Sequence, residues 1–355
     1  MARPVVATID LAALAHNLAV VKRHAPAARV LAVVKANAYG HGLARATRAL
    51  AGADGFGLIE LDSAVRLREA GYAQPILLLE GAFEPSELPV LAHHRIATVV
   101  HCREQVAMLK DLPGNAALDV FVKVNTGMNR LGFEPGAISG VVAELRRLAS
   151  VGNLTLMTHF ASADEARGVA WQMEILERAQ QVPALPLSLA NSAAILRHPA
   201  AHAGWVRPGI MLYGCSPFAE GTAADLDLQP VMTLESRVIA VQNMKRGDIL
   251  GYGGLFEADR DTRVGVIACG YADGYPRHAP NGTPLMVEGR MTRTLGRVSM
   301  DMLCADLSGL PEAGTGSRAV LWGADVPVER VAAAAGTVGY QLLCALAPRV
   351  RIAEV

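Results

Sequence analysis

Eight short apolar runs, separated by amphipathic segments, constrain the fold of this 355-residue chain more than any other feature. Each run is short and nearly continuous in apolar residues, which predicts a strand that is buried on both faces. The runs cover residues 30–34, 56–61, 75–79, 96–100, 118–124, 154–158, 186–189 and 205–206. The intervening segments, such as the one carrying Ile138, Val141 and Leu145, have the spacing of amphipathic helices.

This alternation favours a closed parallel (β/α)8 barrel of the TIM type. An open doubly wound sheet is the alternative, but it usually carries a glycine-rich dinucleotide loop after its first strand, and none is present. After Pro217 the pattern changes to β-branched runs, glycines and turns. We therefore expect an α/β barrel domain over residues 1–228 and a mostly β C-terminal domain over 229–355, joined by a linker at 218–228.

Charge and cysteine content exclude several classes of protein. The 33 Lys and Arg residues balance the 33 Asp and Glu residues, and no basic patch predicts a nucleic-acid partner. No apolar run is long enough to span a membrane, and no signal-peptide pattern follows the first residues. The five scattered cysteines lack a CxxC pair, so we expect free thiols in a cytoplasmic protein without a bound metal.

Lys35 stands at the C-terminal end of the first apolar run. Burying an ammonium group is costly unless the group is paired or uncharged. On position alone, the favoured interpretation is a lysine that extends its amine to water, with a salt bridge as a second possibility. A third possibility is chemical, because a desolvated lysine is suited to form a Schiff base with a carbonyl compound.

A set of sequence blocks in fixed order favours the chemical interpretation. The blocks cover residues 33–42, 123–133, 158–161, 190–194, 206–214, 270–277 and 298–302. In this order they resemble the motifs of alanine racemases, and they extend over nearly the whole chain. The resemblance implies a homodimeric enzyme that uses pyridoxal 5′-phosphate (PLP) to interconvert L- and D-alanine. It also implies that a first strand near residues 5–9 joins the second domain.

The resemblance implies a PLP site at the strand ends of the barrel, with Lys35 holding the cofactor covalently. Four of the implied cofactor residues surround the phosphate: Tyr39, Ser192, Gly209 and Ile210. Tyr340 is implied to lie near the phosphate and the entrance of the site. From the residues alone, Tyr39 is equally a packed loop side chain and Ser192 a plain helix N-cap.

Arg207 is implied to face the pyridine nitrogen of PLP, with His159 orienting its guanidinium group. An arginine can only donate hydrogen bonds, so the ring nitrogen should stay unprotonated. The ring is then a weaker electron sink, which suits simple return of a proton and discourages transamination. Without the resemblance, Arg207 is a strand-end arginine in a salt bridge, and a lone histidine is more often structural than catalytic.

The resemblance also assigns the substrate and its proton transfers. Arg130 and the backbone N–H of Met300 are implied to bind the substrate carboxylate, with Asp301 beside them. Lys123 matches a position that is carbamylated in many relatives, where it steadies the arginine. Lys35 and Tyr271 are the implied bases on the two faces of the cofactor, Tyr271 reaching the site from the partner subunit.

Other functions remain open at this stage. A broad-specificity amino-acid racemase differs only in the shape of its substrate pocket, which the sequence does not reveal. A PLP-dependent decarboxylase would need an acidic partner for the ring nitrogen, against which Arg207 argues. A PLP-binding carrier protein would lack residues 229–355, and a cofactor-free Schiff-base aldolase would lack the phosphate-binding residues. A biosynthetic role, supplying D-alanine for peptidoglycan, and a catabolic role are both compatible with the sequence.

Overall fold

The computed structural model describes residues 3–112, 117–179 and 185–355, which form two compact units. The first unit, called the barrel unit, comprises residues 18–38 and 42–212. The second, called the β unit, comprises the residues up to 17, residues 39–41 and residues 213–355.

The strands and helices lie in the following order along the described part of the chain. The strands are β1 (Val6–Ile9), β2 (Arg29–Val33), β3 (Gly55–Leu58), β4 (Ile76–Leu78), β5 (Ala97–Val100), β6 (Leu118–Lys123), β7 (Val151–Met157), β8 (Leu187–Ser188), β9 (Trp205–Val206), β10 (Met232–Met244), β11 (Ile249–Leu250), β12 (Phe256–Glu257), β13 (Thr262–Ile267), β14 (Pro284–Val287), β15 (Arg290–Leu295), β16 (Leu303–Asp306), β17 (Arg318–Trp322) and β18 (Arg351–Glu354). The helices are α1 (Leu11–His24), α2 (Lys35–Tyr39), α3 (Leu43–Ala49), α4 (Leu61–Glu69), α5 (Glu87–His93), α6 (Arg103–Asp111), α7 (Ile138–Leu145), α8 (Ala170–Ala179), α9 (Ser192–Arg197), α10 (Val328–Ala334) and α11 (Gly339–Cys344).

Strands β2 to β9 form a closed parallel barrel in chain order, which confirms the (β/α)8 prediction and all eight predicted strands. Buried side chains fill the interior, including Leu31, Phe121 and Trp205, so the barrel is a packed core. The run at 56–61 was extended too far. Strand β3 ends at Leu58 because Glu60 is the N-cap of α4, and Leu61 is already helical.

The β unit contains an eight-stranded sheet in the order β13–β16–β15–β14–β17–β10–β1–β18. The long strand β10 has a register shift between Val238 and Ala240 and pairs with β13 beyond it, so the sheet closes on itself. Strand β1 pairs antiparallel with β10 and parallel with β18. This architecture confirms the predicted mostly β C-terminal region.

All five cysteines carry free thiols, as the lack of paired spacings predicted. No helix in the described ranges is both long and apolar enough to cross a membrane.

Candidate active site

The C-terminal ends of the barrel strands carry most of the predicted site residues. Those in the barrel unit are Lys35 after β2, Lys123 at the end of β6, Arg130 in the following loop, His159 after β7, Ser192 after β8, and Arg207, Gly209 and Ile210 after β9. Parallel barrel strands end on one rim, so these residues lie at the same end of the barrel.

The segment after β2 has an unusual backbone conformation. Lys35–Tyr39 is a left-handed helical turn, in which Ala36, Asn37 and Ala38 have φ of 53°, 52° and 54°. The turn is fixed by a hydrogen bond from the Ala38 N–H to the Val34 carbonyl (3.0 Å). A left-handed conformation is unfavourable for L-residues, so the chain tolerates strain directly beside Lys35.

Arg207 is buried and is hydrogen-bonded only to uncharged groups. Its Nη1 donates to Ser188 Oγ (2.8 Å), and its Nη2 donates to the carbonyls of Thr158 (2.6 Å) and Leu189 (3.2 Å). Its Nη2 also lies 3.4 Å from His159 Nδ1. No carboxylate of the described residues forms an ion pair with it, which argues against a strand-end salt bridge. Burial lowers the pKa of Arg207 to about 10.

Burial and the neighbouring positive charges lower the pKa values of His159 and Lys123. Burial, together with the charges of Arg207 and Lys123, holds the pKa of His159 well below its usual range, so the imidazole is neutral. Burial, with Arg207 and Arg130 as further causes, lowers the pKa of Lys123 to about 8. Arg207, Lys123 and Arg130 therefore form a cationic cluster beside the neutral imidazole of His159, and Lys123, Arg130 and His159 line a small cleft that is partly open to solvent.

The loop that carries Arg130 is held by Asn125. Its Oδ1 accepts hydrogen bonds from the backbone N–H groups of Gly127 and Asn129 (both 3.0 Å). Its Nδ2 donates to Asn129 Oδ1 (3.0 Å), a bond that an aspartate at this position could not donate. The guanidinium group of Arg130 is left exposed at the rim.

Gln172 of α8 is a site residue that sequence reasoning missed. It is fully buried, and its Nε2 donates to Thr126 Oγ1 (2.8 Å) and the His159 carbonyl (3.2 Å). Its Oε1 accepts from the Ala161 N–H (2.7 Å). Gln172 thus joins the loops that follow β6 and β7. No motif marks it, because a lone glutamine on a helix has no spacing signature.

Ser192 is not the N-cap of α9, contrary to one interpretation of the sequence. Asn191 is the cap, its Oδ1 accepting from the Ala194 N–H (3.0 Å). The hydroxyl of Ser192 instead accepts hydrogen bonds from the backbone N–H groups of Gly209 (2.9 Å) and Met211 (3.4 Å). The loop after β9 and the start of α9 therefore meet at this hydroxyl. Ile210, which lies between Gly209 and Met211 in the sequence, is buried.

Tyr39 and Tyr340 belong to an aromatic cluster in the β unit. The ring of Tyr39 stacks on Tyr213 with centroids 4.6 Å apart, and lies 6.2 Å from the ring of Tyr340. Burial raises the pKa of Tyr39, with Cys344 as a smaller cause, so its hydroxyl is a neutral donor. Tyr340 is 38% exposed.

Tyr271, Met300 and Asp301 lie on two adjacent turns of the β unit. Tyr271 begins a short 3-10 turn and is 38% exposed, and Met300 is 53% exposed. The N–H of Tyr271 donates to the Ser299 carbonyl (3.0 Å), which brings the two turns together. Arg3 and Arg349, which bind Asp301, were not recognised in the sequence because they lie outside the motifs that contain Tyr271 and Met300.

Comparisons with known proteins agree with this architecture. The family model described as "Alanine racemase, N-terminal domain" matches residues 9–217, and "Alanine racemase, C-terminal domain" matches residues 231–353. An alanine racemase of Nitrosospira multiformis is 57% identical, covering 99% of both chains. A catabolic alanine racemase of Klebsiella aerogenes is 53% identical with the same coverage.

Solved structures give the same result. The biosynthetic alanine racemase of Pseudomonas aeruginosa is 46% identical and superposes with a TM-score of 0.96, covering 99% of each chain. The alanine racemase of Bartonella henselae, described with covalently bound pyridoxal phosphate, is 26% identical with a TM-score of 0.91 and the same coverage.

Proposed function

Because the chain belongs to the alanine racemase family and is therefore a racemase, we propose that it interconverts L-alanine and D-alanine with PLP as its cofactor. In a biosynthetic role the enzyme would supply D-alanine for peptidoglycan, and in a catabolic role it would take part in the breakdown of alanine. The relatives from P. aeruginosa and K. aerogenes are described as biosynthetic and catabolic respectively, so membership of the family is compatible with both roles.

The observation that carries this proposal is the cationic cluster at the barrel rim. Arg207, Lys123 and Arg130 meet there with no carboxylate of the described residues bonded to Arg207. A cluster of this kind costs free energy unless an anion binds it. Alanine brings a carboxylate for Arg130, and PLP brings an electron-rich ring nitrogen for Arg207, so both ligands suit the cluster.

The residues present fit PLP. Arg207 is positioned by four neutral partners, and its Nε–H makes no hydrogen bond to a described residue, so this donor is available for a ring nitrogen. The Ser192 hydroxyl and the backbone of Gly209 and Ile210 would hold the phosphate, and Tyr39 and Tyr340 would complete its binding site. Lys35 would hold the cofactor covalently. When bound, PLP supplies an electron sink for the negative charge left at the Cα of alanine.

Arg130 and the Met300 N–H would bind the substrate carboxylate, for which a guanidinium fork is suited. A carbamate on Lys123 would accept a hydrogen bond from Arg130. The lowered pKa of Lys123 supports this modification, because the neutral amine attacks carbon dioxide to give a carbamate and one proton. The carbamate would also supply the missing negative charge beside Arg207.

Two bases would move the proton. Lys35 Nζ would take the α-proton of D-alanine on one face, and the Tyr271 oxygen would take that of L-alanine on the other. In each direction the other base then donates a proton on its own face, which gives the opposite enantiomer. We propose a cytoplasmic homodimer in which Tyr271, Met300 and Asp301 act at the partner's site, with no nucleic-acid partner.

A visible absorption spectrum tests the cofactor assignment. The purified protein should show a band that hydroxylamine removes, and Lys35→Ala should lack both the band and racemisation. Lys110→Ala is the matched control, since Lys110 is an exposed lysine of the barrel unit that pairs with Glu144. A band that survives in Lys35→Ala would show that another lysine binds the cofactor.

Mixing inactive variants tests the shared site. Lys35→Ala and Tyr271→Ala homodimers should each be inactive. After complete subunit exchange, about half of the dimers are mixed, and each mixed dimer has one intact site. Activity should then return to roughly a quarter of wild type. Verified exchange without recovered activity would mean that Tyr271 serves its own subunit.

A further inference from the structure

Two turns of the β unit are joined backbone to backbone. They are the Tyr271 turn (residues 270–274) and the Met300 turn (residues 299–302). The N–H groups of Tyr271 and Ala272 donate to the carbonyls of Ser299 and Met300, both at 3.0 Å. A Cβ on Gly270 would lie 2.3 Å from the Ser299 carbonyl oxygen, so the turns approach as closely as only glycine permits.

A fully buried carboxylate lies beneath the Tyr271 turn. Asp273 Oδ2 accepts hydrogen bonds from the Gly270 N–H (3.0 Å) and from Arg3 Nη2 (2.9 Å). Asp273 Oδ1 accepts from Arg349 Nε (2.7 Å). A buried carboxylate with two cationic partners and a backbone N–H is expensive to assemble and rigid once assembled.

Both arginines also reach the Met300 turn. Arg3 Nη2 donates to the Asp301 carbonyl (3.0 Å), and Arg349 Nη2 donates to Asp301 Oδ1 (2.7 Å). Each guanidinium group therefore bridges the two turns, and the two positive charges balance the two aspartates. The bonds to Asp273 and Asp301 raise the pKa of Arg349.

We propose that Asp273, with Arg3 and Arg349, forms a positioning clamp that fixes the hydroxyl of Tyr271 relative to the backbone N–H of Met300. The clamp joins the two turns that the proposed function uses, one for a base and one for the substrate carboxylate, and the inference rests on that function. None of the three clamp residues touches substrate. Their effect passes through the geometry of the turns, and misplacement by about 1 Å costs about a hundredfold in rate.

The clamp predicts an asymmetric defect. In the loaded holoenzyme at saturating alanine, Asp273→Asn should slow solvent deuterium entry at the α-carbon of L-alanine by about a hundredfold. Exchange of D-alanine, served by Lys35 on the other unit, should stay within about twofold. Arg349→Met should give a smaller L-alanine defect, and Arg349→Lys, which keeps the charge but not the fork, should give a defect between those of the wild type and Arg349→Met.

The matched control is Arg318→Met. Arg318 also pairs with a carboxylate in the β unit, through Nε and Nη2 to Glu235, but touches neither turn. Exchange of both enantiomers should match that of the wild type. If Asp273→Asn does not fold, Arg3→Met and Arg349→Met carry the test, because each removes one bridge and leaves the carboxylate paired.

Amide hydrogen exchange tests the clamp without using catalysis. In Arg349→Met, the amides of Tyr271 and Ala272 should exchange faster, since their bonds to the Met300 turn depend on the clamp, and Arg318→Met should leave them unchanged. Unchanged amide exchange in both Arg3→Met and Arg349→Met would overturn the clamp. Faster amide exchange with equal L- and D-alanine defects would overturn its positioning role. If Tyr271→Phe itself slows both enantiomers equally, the two-base assignment fails, and amide exchange alone then decides whether the clamp exists.

Discussion

Each unit contains a buried charged side chain, Arg207 in the barrel unit and Asp273 in the β unit, but the two charges are compensated in opposite ways. In the barrel unit, Arg207 is bonded to a hydroxyl, two carbonyls and a neutral imidazole. In the β unit, Arg3 and Arg349 meet the buried carboxylate of Asp273. The charge of the clamp is balanced within the protein, whereas at the rim no described carboxylate is bonded to Arg207 and Glu80 acts on Lys123 as a smaller influence than burial and the two arginines.

This difference explains the shifts in proton affinity at the rim. The pKa values of Arg207, His159 and Lys123 are all lowered, with burial as the largest cause in each case. Uncompensated burial reduces stability and leaves binding energy available for an anion. The clamp instead stabilises its own turns. We therefore expect substitutions at the rim to affect ligands first, and substitutions at the clamp to affect folding as well.

The largest effect should follow charge reversal at Arg207. Arg207→Glu places a proton acceptor where only donors stood, so the ring nitrogen of PLP should become protonated. Racemisation should fall about a hundredfold or more, and pyruvate formed per racemisation event should rise. Chiral chromatography and a pyruvate assay measure both. Arg178→Glu, an exposed reversal on α8, is the control, and an unchanged pyruvate ratio in Arg207→Glu would separate Arg207 from the ring.

The second-largest effect should be a difference in stability between substitutions at the clamp and at the rim. Asp273→Asn leaves two guanidinium groups facing a neutral amide, and should reduce the free energy of unfolding by about 3 kcal/mol. Arg207→Met removes an uncompensated buried charge together with its hydrogen bonds, and should change it by no more than about 1 kcal/mol. Urea unfolding of the proteins without cofactor measures both. Equal losses would show that the rim is as self-compensated as the clamp.

Lys123 should give the stability of the protein a dependence on pH in the alkaline range. Its pKa is lowered from 10.5 to about 8, so between these values the unfolded chain binds a proton that the folded protein does not. The free energy of unfolding should therefore rise with pH through this window, and fall as pH drops through 8. The part due to Lys123 is roughly 2 kcal/mol between about pH 7 and about pH 10. Denaturant unfolding in carbon-dioxide-free buffer measures it, and parallel pH curves for wild type and Lys123→Met would contradict it.

The hydrogen bonds of Gln172 should contribute less. Gln172→Leu leaves the Thr126 hydroxyl, the His159 carbonyl and the Ala161 N–H without this partner, and should reduce the free energy of unfolding by about 1–2 kcal/mol. Gln74→Leu removes one solvent-exposed hydrogen bond, from a half-buried glutamine to the Ala51 carbonyl, and should cost no more than about 0.5 kcal/mol. The difference between the two urea midpoints reports the value of the buried amide.

The barrel could be predicted from the sequence because its signal is local. Buried parallel strands read as continuous apolar runs, and even β8, with two residues in the strand, lay within the run at 186–189. The errors were at the ends, as at Leu61, where an apolar residue begins a helix. The strand-end lysine and arginine were also visible, since charged residues directly after buried runs are conspicuous.

Contacts between distant residues could not be predicted in this way. Strand β1 pairs Val6 with Glu235 and with Arg351, and nothing in its four residues names either partner. The bond from Arg3 to Asp273 spans 270 positions. Such pairs depend on tertiary structure and have no spacing signature. The left-handed turn after β2 was also invisible, since its residues include no glycine.

That turn supplies the smallest predicted effect. Ala36 has φ 53° and ψ 51° and is exposed, so Ala36→Gly should remove about 1–2 kcal/mol of left-handed strain while giving the unfolded chain about 0.4–1 kcal/mol of extra entropy. The net result should be a gain of about 0.5 kcal/mol in the free energy of unfolding. Ala107→Gly, exposed within the right-handed helix α6, should instead lose about 1 kcal/mol. Opposite shifts of the two urea midpoints would establish the strain. Slower racemisation by Ala36→Gly would show that the strained turn holds Lys35 in place. A loss of stability in both variants would mean that the turn is relaxed.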